Sequence, residues 1–120
     1  MLEDTDVPNF EPLPESWAIM VYIVQKSGKN ELLPKQVPDA EVVRGTLFDL
    51  KIAVALPAYM SPTLEAAKMG LNGQREKLLL KLKGLNKRLG NNNWLMGEQL
   101  TIFDFFGAEL LELVLIMNEE

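Results

Sequence analysis

The stretch "LTIFDFFGAELLELVLIM", from Leu100 to Met117, constrains the fold of this chain more than any other feature of its sequence. If the stretch forms one helix, apolar side chains point outward in nearly every direction, and a helix that is apolar all round is normally buried. The other helices of a 120-residue chain can cover only one side of it. We therefore expect another protein chain to cover the rest. The interface candidates are the large apolar side chains of this helix: Phe103, Phe106, Leu110, Val114 and Met117.

Asp104 lies near the start of this stretch, and the local pattern predicts a structural role for it. With Thr101 as the N-cap, its hydroxyl can accept a hydrogen bond from the Asp104 amide, while the Asp104 carboxylate accepts one from the Thr101 amide. This reciprocal pair is a capping box. The negative charge also lies at the positive end of the helix dipole. We therefore predict that Thr101 and Asp104 start the helix, and that Asp104 is not catalytic.

The chain begins with a proline-rich segment, residues 1–14, which we expect to be extended. The run from Trp17 to Val24 is apolar without interruption, so periodicity alone does not separate a buried helix from a buried strand. Its β-branched residues favour a strand. Ser16 before the run and Gly28 after it favour a helix, which is our prediction.

Further helical regions follow between these two segments. Pro38 begins one of them, and Pro57 ends or kinks it. Ser61, which precedes a proline, is the expected cap of the next region. There we predict a short turn of helix to Met69 and a longer helix from about residue 72 to residue 89. The fold class is therefore all-α, with four main helices.

Composition excludes several kinds of chemistry. The chain has neither cysteine nor histidine. Disulfides, thiolate nucleophiles and histidine acid–base catalysis are therefore ruled out. We predict no catalytic residue and no metal site. No apolar run is long enough to cross a membrane, and the acidic start does not have the pattern of a signal peptide. We expect an intracellular protein, in the cytoplasm or in an organellar complex.

Charge gives less information about partners. The formal net charge of −5 argues against nucleic acid as the main partner. Cations are nevertheless concentrated between Arg75 and Arg88. That run is either a solvated helix face or a docking patch for RNA or an acidic protein. No aromatic residues alternate with these cations, so the sequence gives no support for stacking on bases.

Two motifs resemble glutathione S-transferases, best of all the mu and sigma classes. "NWLMGEQLTIFDFFGAELLE" resembles the W/F-L-x-G-x-x-L-T-x-x-D-F segment that opens the central helix of their C-terminal helical domain. The matching residues are Trp94, Leu95, Gly97, Leu100, Thr101, Asp104 and Phe105. "LPESWAIMVYIVQKSGK" is similar to their Q/E-S-x-A-I-x-x-Y-I-x-x-K segment. Here the matches are Glu15, Ser16, Ala18, Ile19, Tyr22, Ile23 and Lys26.

The resemblance implies a boundary and a binding site. Residues 15–120 match the helical domain of the family, and residues 15–28 among them match the last helix of the thioredoxin-like half. The chain is then truncated at both ends relative to the family. By position, Glu15 and Ser16 are the candidates for binding the γ-glutamyl end of glutathione, so glutathione is a possible ligand, although no cofactor is required. Neither Tyr22 nor Tyr59 matches the family's nucleophile-activating position.

Three functions stay open at this point. The first is a non-catalytic, glutathione S-transferase-like subunit that assembles into a larger homo- or hetero-oligomer. The second is a fragment or split subunit of a glutathione transferase that conjugates glutathione to electrophiles. The third is an adaptor that binds RNA or an acidic protein through the cations from Arg75 to Arg88.

Overall fold

The computed structural model describes residues 1–35 and 37–118. Over these residues the chain is helical and contains no strand, which confirms the predicted all-α class. A 3-10 turn spans Asn30–Leu32. The five α-helices are α1 Ser16–Lys26, α2 Val37–Met60, α3 Leu64–Gly73, α4 Arg75–Leu89 and α5 Ile102–Asn118. The chain forms two compact units, residues 1–33 and the residues from 34 onward.

The first unit contains α1 and the proline-rich segment before it, residues 1–14, which we call the lead. The lead is not simply extended, because Leu2 and Leu13 exchange two backbone hydrogen bonds of 2.9 Å and close the segment into a loop. Asn9 adopts a φ of 58° within this loop, a left-handed conformation that asparagine tolerates better than most residues. The apolar run from Trp17 to Val24 forms a helix and not a strand, as predicted. Gly28 follows the last turn of this helix with a φ of 72°.

In the second unit, α2 is the element on which the other helices pack. Its buried residues recur every three or four positions and form one face: Val43, Leu47, Leu50 and Val54. Helices α3, α4 and α5 all contact α2. From these helices Leu71, Leu78, Phe103 and Leu110 are buried as well. The core of this unit therefore lies along a single helix face.

Pro57 does not end α2, which continues to Met60. Pro57 lies in the last turn of α2, so the helix lacks one backbone N–H donor there but continues to its end at Met60. Gly70 of α3 lies against its ring, and a Cβ atom at Gly70 would be 3.0 Å from the Pro57 Cβ. Gly70 is thus a close-contact position inside α3. The break between helices, which we expected between residues 69 and 72, lies at Gln74.

The cap of α3 also differs from the prediction. Thr63, and not Ser61, is the N-cap, because its hydroxyl accepts a hydrogen bond of 3.1 Å from the Ala66 amide. The predicted short turn is therefore a helix of 10 residues. With this helix, residues 1–35 and 37–118 contain five α-helices, compared with the four main helices that we predicted.

Candidate functional site

Asp4 forms a polar cluster with α1 in the first unit. Its carboxylate accepts hydrogen bonds from the Tyr22 hydroxyl and from the Lys26 ammonium. It also accepts one of 3.0 Å from the Asp6 amide. The ring of Phe10 packs on that of Tyr22, with 5.0 Å between their centroids. The lead is therefore held against α1 by both polar and aromatic contacts.

These contacts shift the pKa values of the cluster. The hydrogen bonds from Lys26 and Tyr22 lower the pKa of Asp4 to about 2. The bond to Asp4 raises the pKa of Tyr22, because it stabilises the protonated phenol. It raises the pKa of Lys26 as well, because the carboxylate favours the charged ammonium. At neutral pH the cluster therefore contains an ionised carboxylate, a protonated tyrosine and a charged lysine.

Sequence reasoning did not single out Asp4, although a signal for it was present. Tyr22 and Lys26 are four residues apart, so they lie on the same face of α1. Their hydroxyl and ammonium donors need an acceptor, and the acidic lead supplies several carboxylates. Tyr22 and Lys26, which both belong to the "LPESWAIMVYIVQKSGK" motif, therefore hold the lead against α1 through Asp4.

The candidate glutathione ligands, Glu15 and Ser16, lie at the start of α1. Glu15 is the N-cap residue, and its side chain makes no capping hydrogen bond. Ser16 is the first helical residue, and both are exposed. The α1 amides next to them carry the partial positive charge of a helix N-terminus, which favours a carboxylate. Their role in binding glutathione stays a prediction.

Asp104 accepts three hydrogen bonds at the start of α5. One oxygen accepts from the Thr101 amide at 2.9 Å and from the Thr101 hydroxyl at 3.2 Å. The other accepts from the Leu95 amide at 2.8 Å. The Asp104 amide donates to the Thr101 carbonyl oxygen at 3.1 Å. One bond of the predicted capping box is thus formed, and the bond from the Asp104 amide to the Thr101 hydroxyl stays a prediction.

Leu95 is brought to Asp104 by a tight turn. Trp94 and Gly97 exchange backbone hydrogen bonds of 3.1 and 3.0 Å. Gly97 has a φ of 82°, a conformation that residues with a Cβ rarely adopt. The tryptophan, leucine, glycine, threonine and aspartate of the "NWLMGEQLTIFDFFGAELLE" motif therefore form one structural unit that starts α5. This geometry supports the structural interpretation of Asp104.

The interface candidates on α5 divide into two groups. Phe103 is 0% exposed and Leu110 is buried, so both already belong to the core of their own chain. Phe106 and Val114 are half-buried, and the Lys51 ammonium lies 5.6 Å from the Phe106 ring centroid. The side chain of Met117 lies outside the part of the chain that the structure describes. Four other apolar side chains are more exposed: Phe105 (56%), Leu111 (48%), Leu115 (65%) and Ile116 (60%).

A groove of about 450 Å³ lies between α4 and α5, with the buried face of α2 as its floor. Leu47, Leu50 and Val54 form that floor. The walls are apolar side chains of the two flanking helices: Leu82, Leu85 and Leu89 of α4, and Ala108, Leu111 and Val114 of α5. Its volume falls in the range of ligand pockets, but its polar groups are few and lie mostly near the start of α5.

The cations from Arg75 to Arg88 do not form a uniform free patch. Lys81 forms an ion pair with Asp49 of α2, and Arg88 lies 3.5 Å from Asp39 of the same helix. These pairs tie α4 to α2, although each contributes little to stability at an exposed position.

No group of three or more acidic side chains within the described ranges is placed to hold a metal ion. In the same ranges no helix is both long enough and apolar enough to cross a membrane.

Comparison with known proteins agrees with the two motifs. The chain is 34% identical over 103 residues to glutathione S-transferase 2 of Gallus gallus, a match that covers 83% of this chain and 44% of that protein. It is 30% identical to the class-mu 26 kDa isozyme of Schistosoma mansoni, over 90% of this chain and 48% of the relative. Glutathione S-transferase D6 of Drosophila melanogaster is 30% identical to the chain, in a match that covers 83% of this chain and 48% of that protein.

No protein-family model matches the chain, and no solved structure does. The chain spans about half the length of the curated relatives that it matches. This similarity and the all-helical fold confirm the resemblance that the two motifs indicated. The chain is related to the glutathione S-transferases.

Proposed function

We propose that this chain is a non-catalytic, glutathione S-transferase-like protein that serves as a structural subunit of a larger assembly. The observation that carries the proposal is the apolar surface of α5, where Phe105, Leu111, Leu115 and Ile116 are each about half exposed or more. Large exposed apolar surfaces of this kind mark protein interfaces. The same proposal places the chain inside the cell, which fractionation of cell extracts would test.

The polar groups support a non-catalytic role. Thiol activation by a transferase needs a hydroxyl or thiol that can bind or receive the glutathione proton. The Tyr22 hydroxyl already donates a hydrogen bond to Asp4, and this bond raises the pKa of Tyr22 and keeps the phenol protonated. The other tyrosine, Tyr59, is exposed in the last turn of α2. Cysteine and histidine do not occur in the chain, so neither a thiolate nor an imidazole is present to activate the thiol.

The conjugation of glutathione to 1-chloro-2,4-dinitrobenzene tests the absence of catalysis. We expect the purified chain to give the uncatalysed rate, and the Ser16→Ala and Tyr22→Phe variants to give the same rate. A rate well above the uncatalysed one that falls in either variant would overturn the proposal, because it would assign chemistry to α1.

A second candidate is a split transferase, favoured by the exposed Glu15 and Ser16 at the N-terminus of α1. In that case a second polypeptide supplies the thioredoxin-like part, and these residues bind the γ-glutamyl carboxylate. Titration calorimetry with glutathione tests it. Measurable binding that is lost in Ser16→Ala but retained in Ser27→Ala would favour this candidate over the first.

A further inference from the structure

We propose that a second groove, between α2 and α4, binds an acidic amphipathic helix of a partner protein. This α2–α4 groove has a volume of about 650 Å³ and shares only Leu50 with the groove between α4 and α5. The exposed α5 side chains that carry the proposed function lie outside it, so a partner can occupy it whether or not α5 is covered. The lining residues that matter here are Phe48, Ile52 and Leu56 of α2, and Lys77, Leu80 and Lys81 of α4.

The α2 wall of the groove is an apolar row. Phe48, Ile52 and Leu56 follow one another at intervals of four residues, so they lie on one face of α2. Between 44% and 54% of each residue is exposed, and Leu80 on the α4 wall is 70% exposed. The row covers about 12 Å of helix axis. This length matches about two turns of a third helix that packs between α2 and α4.

A series of ion pairs joins the same two helices and stops at Lys77. Arg88 lies 3.5 Å from Asp39, and Lys81 is paired with Asp49. The residue numbers rise along α2 as they fall along α4, so the two helices are antiparallel. Lys77 is one turn before Lys81 on the same side of α4. At Lys77, however, α2 presents its apolar row to the groove and no acid.

The Lys77 ammonium therefore has no counter-ion in the groove. It is exposed, and within residues 1–35 and 37–118 it forms no ion pair. Asp49 is the one acid among the lining residues, and Lys81 already binds it. An occupant of the groove must then bring its own carboxylate. Two copies of this groove placed face to face would bring two lysines together without a free acid, so charge complementarity favours a different protein.

An acidic amphipathic helix satisfies both requirements. Helices that bind in grooves insert apolar side chains spaced three, four and seven residues apart. Such side chains would cover the row formed by Phe48, Ile52 and Leu56, while an aspartate or glutamate on the flank nearer α4 faces Lys77. The apolar contact provides most of the affinity, and the charge selects the partner and its orientation.

A designed peptide tests the proposal on the full chain. The probe is a fluorescein-labelled helix of about 15 residues, with leucines along one face and glutamates along one flank. Its matched control has lysines in place of the glutamates. In fluorescence anisotropy the wild type should bind the glutamate peptide about fivefold more tightly than the lysine peptide. Lys77→Glu should invert this preference. Lys83→Glu, on the same helix but outside the groove, should leave it unchanged.

The apolar row has its own pair of variants. Ile52→Glu should weaken binding of the glutamate peptide by more than about tenfold, because it places a charge in the apolar contact. Leu115→Glu, at an exposed apolar position of α5, is the matched control and should bind like the wild type. Circular dichroism of each variant confirms that it is folded.

Several outcomes would overturn the inference. They are a wild type that does not bind the glutamate peptide, a preference that Lys77→Glu does not invert, and an equal loss of binding in Leu115→Glu and Ile52→Glu. Dodecanoate has a carboxylate and an apolar chain but no helix, and it should not displace the peptide. Displacement would identify an anionic amphiphile as the occupant. Self-association that excludes the peptide in sedimentation experiments would identify a second copy instead.

Discussion

The backbone amide of Leu95 donates a hydrogen bond of 2.8 Å to the Asp104 carboxylate, which lies nine residues further along the chain. The same carboxylate accepts two bonds from Thr101, which is fully buried. One side chain therefore fixes both the turn before α5 and the first turn of the helix. This segment is one of the two that resemble glutathione S-transferases, and here Asp104 holds the turn and the start of α5 together.

Replacing Asp104 with alanine should lower the free energy of unfolding by about 2–3 kcal/mol, because three hydrogen bonds to a charged acceptor at a helix N-terminus are lost. Asp104→Asn retains one acceptor oxygen and should cost about half as much. Urea unfolding followed by circular dichroism measures both. Glu109→Ala, at an exposed position of the same helix, is the control and should change stability by less than about 0.5 kcal/mol. Equal effects of Asp104→Ala and Glu109→Ala would contradict the structural role.

Tyr22 should titrate above the ordinary range of tyrosine, because the Asp4 carboxylate stabilises its protonated form and raises its pKa. In a Tyr59→Phe background the only remaining tyrosine is Tyr22, so ultraviolet absorbance reports its pKa directly. Adding Asp4→Asn should lower that pKa toward the ordinary value near 10. An unchanged Tyr22 titration would mean that the phenol does not donate to Asp4 in solution.

Acid should weaken the attachment of the lead to α1. The folded pKa of Asp4, about 2, lies below its ordinary value of 3.8. The ionised carboxylate therefore stabilises the fold fully above about pH 4, and this contribution is lost as the pH falls towards 2. The difference in unfolding free energy between the wild type and Asp4→Asn should be constant from neutral pH to about pH 4 and should shrink below it. A difference that does not change down to pH 2 would exclude the depressed pKa.

Two helical glycines should respond in opposite directions to alanine. Gly84 of α4 has open space around its Cβ position. Gly84→Ala should therefore raise the free energy of unfolding by about 0.5–1 kcal/mol through helix propensity. Gly70→Ala gains the same propensity but places a Cβ 3.0 Å from that of Pro57, whose ring cannot rotate away. We expect a net loss of stability for this variant in thermal unfolding. Equal gains at both positions would show that α3 can move away from α2.

The sequence predicted the existence of the helices better than their ends. Ser61 and Thr63 are both good caps, and only the structure shows that the Thr63 hydroxyl reaches the Ala66 amide. The helical turn that we predicted to end at Met69 continues through Gly70, although glycine weakens a helix interior. Here the absence of a side chain allows close packing on Pro57, which is a tertiary effect and is not visible in local propensity.

The candidate sites were predictable to different degrees. The bond from the Thr101 amide to Asp104 follows from a spacing of three residues, so sequence patterns could find it. The contact of Asp4 with Tyr22 depends on how a loop of a dozen residues closes, and no local pattern contains that information. For the same reason, sequence reasoning treated Phe103 as an interface residue, although α5 directs it into the core of its own chain.

Helices α3, α4 and α5 reach the core chiefly through one face of α2 and not through one another. Their backbone amides should therefore become open to solvent together, in a single event in which α2 separates from them. Hydrogen exchange would then give one common protection value for the slowest amides of all four helices. A proteolytic cut near Leu47 or Leu50 should leave pieces that do not stay folded separately, because each would keep only part of the shared face.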